Sequence, residues 1–276
     1  GFKNTLDRPH VVMNLANAEL QYSRWVHALP RVRPLYAIKC NPDPVLLSTL
    51  AHCGAGFDCA SAAEILAALA TGVSPNDIIF ANPIKNVDDL KLARELQVTK
   101  MTFDNEDELV KIQEVFPEAE LVLRLLPDGS GSVMDFGSKF GCHEEKAEKL
   151  LSLAKTLNLT ILGTSFHIGS GCFDPTKYDD AIQMCRRVFD KAISLGLPPL
   201  QLVDVGGGFP GTTEVEDFLR TRSESDPSAP KYIAASPPFE SFAAIIRQSL
   251  EMHFPEHTHP TVQFVGEPGR YFATAA

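Results

Sequence analysis

Lys39 ends a short apolar run, Pro34-Leu35-Tyr36-Ala37-Ile38, and is followed at once by Cys40-Asn41-Pro42. A strand that stops on a lysine before a turn holds an amine at the mouth of a sheet instead of on its solvent face. Partial desolvation lowers the proton affinity of such an amine and makes it a nucleophile toward aldehydes. The competing reading is a lysine that caps a strand in water. Other apolar runs end on Asp58, Asn82, Asp104, Arg124, His167, Gly206 and Glu267. Any one of these could be structural. An amine, three carboxylates, a guanidinium and an imidazole at equivalent strand ends form a set with chemical capacity.

The elements that must position them alternate regularly. Apolar runs predict strands at Pro34–Ile38, Gly56–Asp58, Ile78–Ala81, Met101–Phe103, Leu121–Leu125, Leu162–Phe166, Leu202–Val205 and Val262–Val265. Amphipathic periodicity predicts helices at Val45–Ala51, Ala62–Ala70, Val87–Glu95, Glu106–Val115, Glu144–Leu157, Tyr178–Leu195 and Phe239–Phe254. Turn signals such as Asn82-Pro83 and Pro127-Asp128-Gly129 separate them. Eight such βα units predict an α/β chain folded as a (β/α)8 TIM-like barrel, whose chemistry lies at the C-terminal ends of its strands. An additional strand, His10–Leu15, precedes the barrel, with a helix near Ala18–Ala28 between. Residues 221–238 are polar and rich in Ser and Pro, and read as an exposed excursion.

Two glycine-rich segments follow the seventh and eighth strands, Asp204-Val205-Gly206-Gly207-Gly208-Phe209-Pro210-Gly211 and Gly266-Glu267-Pro268-Gly269-Arg270-Tyr271; a third, Gly169-Ser170-Gly171, follows the sixth. Glycines let backbone N–H groups approach an anion, and these loops are the usual phosphate site of barrels. The alternative is that they only make tight turns. Gly206 to Gly211 also fits the dinucleotide fingerprint G-x-G-x-x-G. It comes after seven strands, however, and Pro210 interrupts the turn, which counts against a nicotinamide enzyme. An amine nucleophile, a phosphate site and a strand-end carboxylate together suggest pyridoxal 5'-phosphate, held covalently by Lys39.

Composition narrows the partners. The net charge of −10 argues against nucleic acid. No run of about 18 apolar residues appears, so no membrane span is expected. The six cysteines have no CxxC spacing and read as reduced cytoplasmic thiols rather than disulfides or a zinc site. The cluster His253, His257, His259 reads as a solvated loop ahead of a metal site.

The segments PLYAIKCNPDP (34–44), GFDCASAAEI (56–65), IIFANPIK (78–85), SFHIGSGC (165–172), VDVGGGFPG (203–211) and GEPGRYF (266–272) resemble the eukaryotic ornithine decarboxylase family, the barrel-type (fold type III) pyridoxal-phosphate-dependent decarboxylases of basic amino acids. The resemblance covers nearly the whole chain, in order. It implies a lyase that decarboxylates a basic amino acid, first of all L-ornithine to putrescine in polyamine biosynthesis. By that likeness Lys39 forms the covalent link to the cofactor. Glu267 faces the pyridine nitrogen, and His167 stacks on the ring. Asp58 and Arg124 flank the link, with Glu64 behind. Ser170, Gly207, Gly208 and Arg270 hold the phosphate, Tyr271 lies beside them, and Ala37 and Gly269 complete the cofactor contacts.

The resemblance also implies a homodimer with a shared active site, and an antizyme-like regulator as a further partner. Family members continue past Tyr271 into a β-domain that carries the proton donor and the acidic groups for the distal substrate amine. The expected organisation is therefore 1–15 as a strand of an incomplete β-domain, 16–272 as the cofactor-binding barrel and 273–276 as the start of the absent C-terminal part. On that expectation the chain alone is inactive. Two alternatives stay open: a non-catalytic relative of the antizyme-inhibitor kind, and a lysine, arginine or diaminopimelate decarboxylase.

Overall fold

A computed structural model describes residues 12–128, 132–134, 139–211 and 237–276. Eight parallel strands close into a barrel: β1 (Val32–Ala37), β2 (Gly56–Cys59), β3 (Ile78–Phe80), β4 (Lys100–Phe103), β5 (Glu120–Arg124), β7 (Thr160–Ser165), β9 (Leu202–Asp204) and β10 (Gln263–Gly266). They neighbour one another in that order, and β10 pairs back onto β1. All eight predicted strands are present, with ends shifted by one or two residues. A small antiparallel pair, β6 (Ser132–Met134) with β8 (Ser170–Cys172), stands apart from the barrel and was not predicted.

Helices follow the barrel strands: α2 (Pro44–Cys53), α3 (Ala62–Leu69), α4 (Val87–Glu95), α5 (Glu106–Val115), α6 (Glu144–Thr156), α7 (Lys177–Ser194), α8 (Phe239–His253) and the short α9 (Arg270–Ala273). Local chemistry sets several starts. Asp43 accepts from the N–H groups of Val45 and Leu46, with Pro44 in the first turn of α2. Ser61 accepts from the Glu64 N–H to open α3, and Asn105 from the Glu108 N–H to open α5.

The expected strand His10–Leu15 is corrected where it can be compared. His10 and Val11 lie outside the described residues, Val12–Asn14 has no regular structure, and Leu15 is the first residue of a helix, α1 (Leu15–Ala28). The buried positions Ala18, Gln21, Trp25 and Ala28 recur at helical spacing, and that period runs back through Leu15. Of the expected excursion 221–238, all but Pro237 and Pro238 lies outside the described residues; these two lead into α8.

Because α9 has only four residues, α1 packs beside it and against both α8 and α2. Its anchor is Trp25, fully buried, with ring centroids 4.9 Å from Phe209, 5.3 Å from Phe239 and 5.3 Å from Tyr271. The Trp25 indole N–H donates to the Val32 carbonyl at 2.8 Å. Trp25→Ala should cost about 3–5 kcal/mol through the cavity and the orphaned carbonyl. A fall in the thermal midpoint of several degrees checks this; an unchanged midpoint would remove Trp25 as the anchor.

Side chains alternate across each strand. Leu35, Ile79, Val122, Leu202 and Val265 fill the barrel interior, while Phe57, Phe80, Phe103, Leu121 and Val203 pack outward under the helices. Counting two residues on from an inward position reaches the upper rim. Leu35 leads to Ala37 and Lys39, Val122 to Arg124, Leu202 to Asp204, and Val265 to Glu267. Asp58 is in register with inward Ala37.

Candidate active site

The rim groups converge. β1 ends at Ala37, and Lys39 sits in a tight 3-10 turn, Ile38–Cys40, instead of on the strand itself. Its Nζ donates to Asp58 Oδ2 at 2.6 Å. Asp58 is wholly buried, whereas the Lys39 side chain is 47% exposed toward the mouth of the barrel. The second carboxylate oxygen of Asp58, Oδ1, has no hydrogen-bond partner among the described residues. Arg124 ends β5, with its guanidinium 5.2 Å from the Phe140 ring centroid. His167 follows β7, and its Nδ1 accepts the Gly169 N–H at 2.9 Å, which aims Nε2 at Gly207.

The glycine loops close around these groups. The Glu267 N–H donates to the Gly206 carbonyl at 2.6 Å, and the Ala37 N–H to the Pro268 carbonyl at 3.3 Å, so the loop after β10 is tied to both neighbouring strands. A Cβ on Gly207 would stand 2.5 Å from the Glu267 carbonyl oxygen and 2.9 Å from His167 Nε2. Gly208 has φ of +113°, a left-handed conformation that costs a side chain dearly. The Gly207 and Gly208 N–H groups make no hydrogen bond among the described residues. Arg270, at the start of α9, donates through Nη2 to Ser170 Oγ at 2.9 Å. Gly269 lies against Cys40 and Ala37. A hydroxyl, a guanidinium and open backbone N–H groups thus share one edge of the mouth, the donor set that a phosphate monoester takes.

The electrostatics correct one expectation. Burial does work against the Lys39 ammonium, but the charges of Asp58 and Glu267 and the Asp58 hydrogen bond outweigh it, so the amine is held protonated. Desolvation alone was expected to lower its proton affinity; two carboxylates were not counted. Burial, with the Arg124 and Lys39 charges, drives His167 well below its ordinary value, so its ring is neutral. Burial, then Asp204 and Asp58, raises Glu267 well above the carboxylate range. Glu64 is raised by burial, and it accepts the Ala60 N–H at 2.6 Å behind Asp58.

Other residues have structural duties. Tyr271 does not lie beside the phosphate edge: its hydroxyl donates to the Gln21 carbonyl within the Trp25 cluster. Asn82 spans Ala60 and Ile84, and Asp104 accepts the Gly141 N–H. Sequence reasoning missed Asp204, buried beside Glu267; an acid closing an apolar run, Leu202-Val203-Asp204, was the available signal. It also missed Lys85, fully buried and bonded to Glu108 at 2.8 Å and to the Thr102 carbonyl at 2.6 Å, which ties β3, β4 and α5 together. Burial, partly offset by Glu108, lowers Lys85 to about 8. A cavity of about 370 Å³ opens at the opposite end of the barrel, lined by Arg31, Arg33, Asn76, Lys100 and His259. None of the rim groups reaches it, and that end of such barrels serves stability.

This arrangement fits pyridoxal phosphate. The mouth offers an amine able to meet an aldehyde, a buried acid, a neutral imidazole and a donor set suited to a phosphate, and the Gly207 cradle would be filled by any Cβ. A probable ornithine decarboxylase of Dictyostelium discoideum is 46% identical over 92% of this chain and 49% of its own length. Antizyme inhibitor 2 of Xenopus laevis is 40% identical over 96% of this chain and 53% of its own. The crystal structure of the arginine decarboxylase of Paramecium bursaria Chlorella virus superposes with a TM-score of 0.82 at 36% identity, covering 94% of this chain and 63% of that one. The chain therefore spans about half the length of the curated relatives it matches. Residues 15–274 match the family described as pyridoxal-dependent decarboxylase, pyridoxal binding domain, and the chain belongs to that family.

Proposed function

We propose that the complete protein decarboxylates a basic amino acid, L-ornithine before lysine, arginine or diaminopimelate, to give the diamine and carbon dioxide. The observation that carries this reading is the Lys39–Asp58 pair set opposite Glu267 beneath a phosphate-binding edge. Lys39 would hold the cofactor covalently, Ser170, Gly207, Gly208, Gly269 and Arg270 its phosphate, and Ala37 and His167 its ring. When bound, the cofactor supplies an electron-accepting ring that takes up the electrons of the breaking carbon–carboxylate bond. The remaining tasks belong to side chains. Asp58 Oδ2 is placed to take and return the Lys39 ammonium proton, since an amine must be neutral to attack an aldehyde. His167, neutral and held by the Gly169 N–H, presents an uncharged flat face. Arg124 keeps positive charge near Asp58 and Glu267. Glu267 presents the acid group that steadies positive charge on the ring.

In the same reading the protein is cytoplasmic and works as a homodimer. Residues 15–274 form its cofactor unit. Six free thiols favour a reducing compartment. A second reading, a non-catalytic regulator, has the Xenopus laevis antizyme inhibitor behind it; retention of Lys39, His167, Glu267 and Arg270 supports the enzyme. Carbon dioxide release from carboxyl-labelled ornithine, lysine, arginine and diaminopimelate by the complete, cofactor-loaded protein tests both. Turnover fastest with ornithine is expected. Release from none of the four, with cofactor bound, would turn the assignment to the regulator.

A further inference from the structure

Three carboxyl groups meet at the floor of the site, and they outnumber the cations. Asp58 and Asp204 are fully buried and Glu267 is 6% exposed. The facing cations are Lys39, from the turn after β1, and Arg124, from β5; His167, after β7, is held neutral. Behind Asp204, from α7, stands the buried Cys185, whose thiol burial pushes up to about 12 and so leaves uncharged. The Lys39 ammonium is hydrogen-bonded to Asp58. Three buried negative charges against two positive ones leave one charge uncompensated, a costly state in a site shut off from water.

The hydrogen bonds point to where the excess is relieved. Asp204 Oδ1 accepts the Gly206 N–H at 2.9 Å. Its Oδ2 finds no N–H or hydroxyl donor among the described residues. Strands β9 and β10 are paired neighbours, with Asp204 opposite Val265 and the Glu267 N–H bound to the Gly206 carbonyl, so Glu267 is the acid that the fold brings beside it. Two carboxyl groups can bond only through a proton. We propose that Asp204 is a positioning residue for Glu267: the two acids hold one proton between them, donated by Glu267 to Asp204 Oδ2, and this bond fixes the direction in which Glu267 faces the mouth. One proton also brings the floor to charge balance. The meaning of that direction for the cofactor rests on the function proposed above; the shared proton does not.

The titration is consistent with this. Burial raises Asp204 from 3.8 to about 7, partly offset by the Gly206 and Glu267 hydrogen bonds, and burial with the Asp204 and Asp58 charges also raises Glu267 well above its ordinary value. An acid raised on folding binds its proton more tightly in the folded chain. Its stabilisation is therefore lost as pH rises from 3.8 toward about 7. Above that window the pair retains the single proton.

Infrared spectroscopy of the complete, cofactor-free protein at pH 8 reads the proton directly as a protonated-carboxyl C=O stretch. The wild type should show it. Asp204→Asn and Glu267→Gln should each lose it, because removing either acid leaves two carboxylates balanced by Lys39 and Arg124. Asp204→Ala serves in place of Asp204→Asn if the latter does not fold. A wild type without the band, or a band that persists when Asp204 is replaced, overturns the proposal. A band that behaves as expected in a protein that then fails to take up pyridoxal phosphate would leave the shared proton standing and remove the proposed function instead.

Discussion

Lys39→Ala in the complete protein is expected to abolish covalent cofactor capture and to lower turnover by at least about 10⁴-fold, the scale on which losing a catalytic nucleophile is usually felt. Among the described residues no neighbouring amine stands ready to replace it. Lys85 lies at the ends of β3 and β4 and is fully buried, with its Nζ committed to Glu108 and two backbone carbonyls. Borohydride reduction followed by peptide mass spectrometry should place a pyridoxyl-phosphate adduct on Lys39 in the wild type and on no lysine in the variant. The variant should remain folded, since the Lys39 side chain is half exposed and its main partner is a single carboxylate. That carboxylate sets a second readout. Asp58 would be left fully buried with neither oxygen bonded among the described residues, so a modest loss of stability should accompany the catalytic loss. Turnover undiminished in Lys39→Ala would remove the lysine from the chemistry altogether.

The barrel was legible because its two periods are clean. Strand runs such as Ile78–Phe80 and Leu202–Asp204 are almost wholly apolar, as strands covered on both faces must be, and the helices between them bury one stripe. The helices Val87–Glu95 and Glu106–Val115 have the predicted ends because an apolar stripe runs through each, and the Asn105 side chain caps the start of the second by accepting the Glu108 N–H. The N-terminal segment was harder. Val11, Val12 and Met13 raise apolar content just where the helical stripe of α1 begins, and a run this short does not tell strand from helix. The rim residues were legible from strand ends alone, since a two-residue period carries an inward position onto the rim. Asp204 lies on that same period, two residues beyond inward Leu202. The apolar run continues in sequence to Val205, which makes Gly206 and not Asp204 its apparent end. Lys85 gave no comparable signal: its burial depends on Glu108, which lies on a helix 23 residues away in sequence. The protonated state of Lys39 was illegible for a related reason, because it depends on Asp58 and Glu267, which arrive from the second and last strands of the barrel.

Glu267→Ala should separate cofactor binding from catalysis. The phosphate edge of Ser170, Gly207, Gly208 and Arg270 and the amine of Lys39 are all retained, so the borohydride adduct on Lys39 should persist. Decarboxylation should nevertheless slow by about 10²–10³-fold in kcat, the usual cost of removing one preorganised group that answers charge developing in a dry site. The effect should be large because Glu267 is buried and its acidic neighbours are committed: Asp58 is held by Lys39, and Asp204 is bound to the Gly206 N–H. Glu267→Gln should fall between the two. It keeps the volume and a hydrogen-bonding head, so the ring still has a neighbour, but it cannot take up or give up a proton. A graded series of wild type, Gln and Ala, with the Lys39 adduct constant throughout, would show that an ionisable acid at this position acts on the reaction step rather than on cofactor capture. Equal rates across the three would show instead that the buried acid serves the packing of the β9–β10 rim and leaves the electronics of the site to other groups.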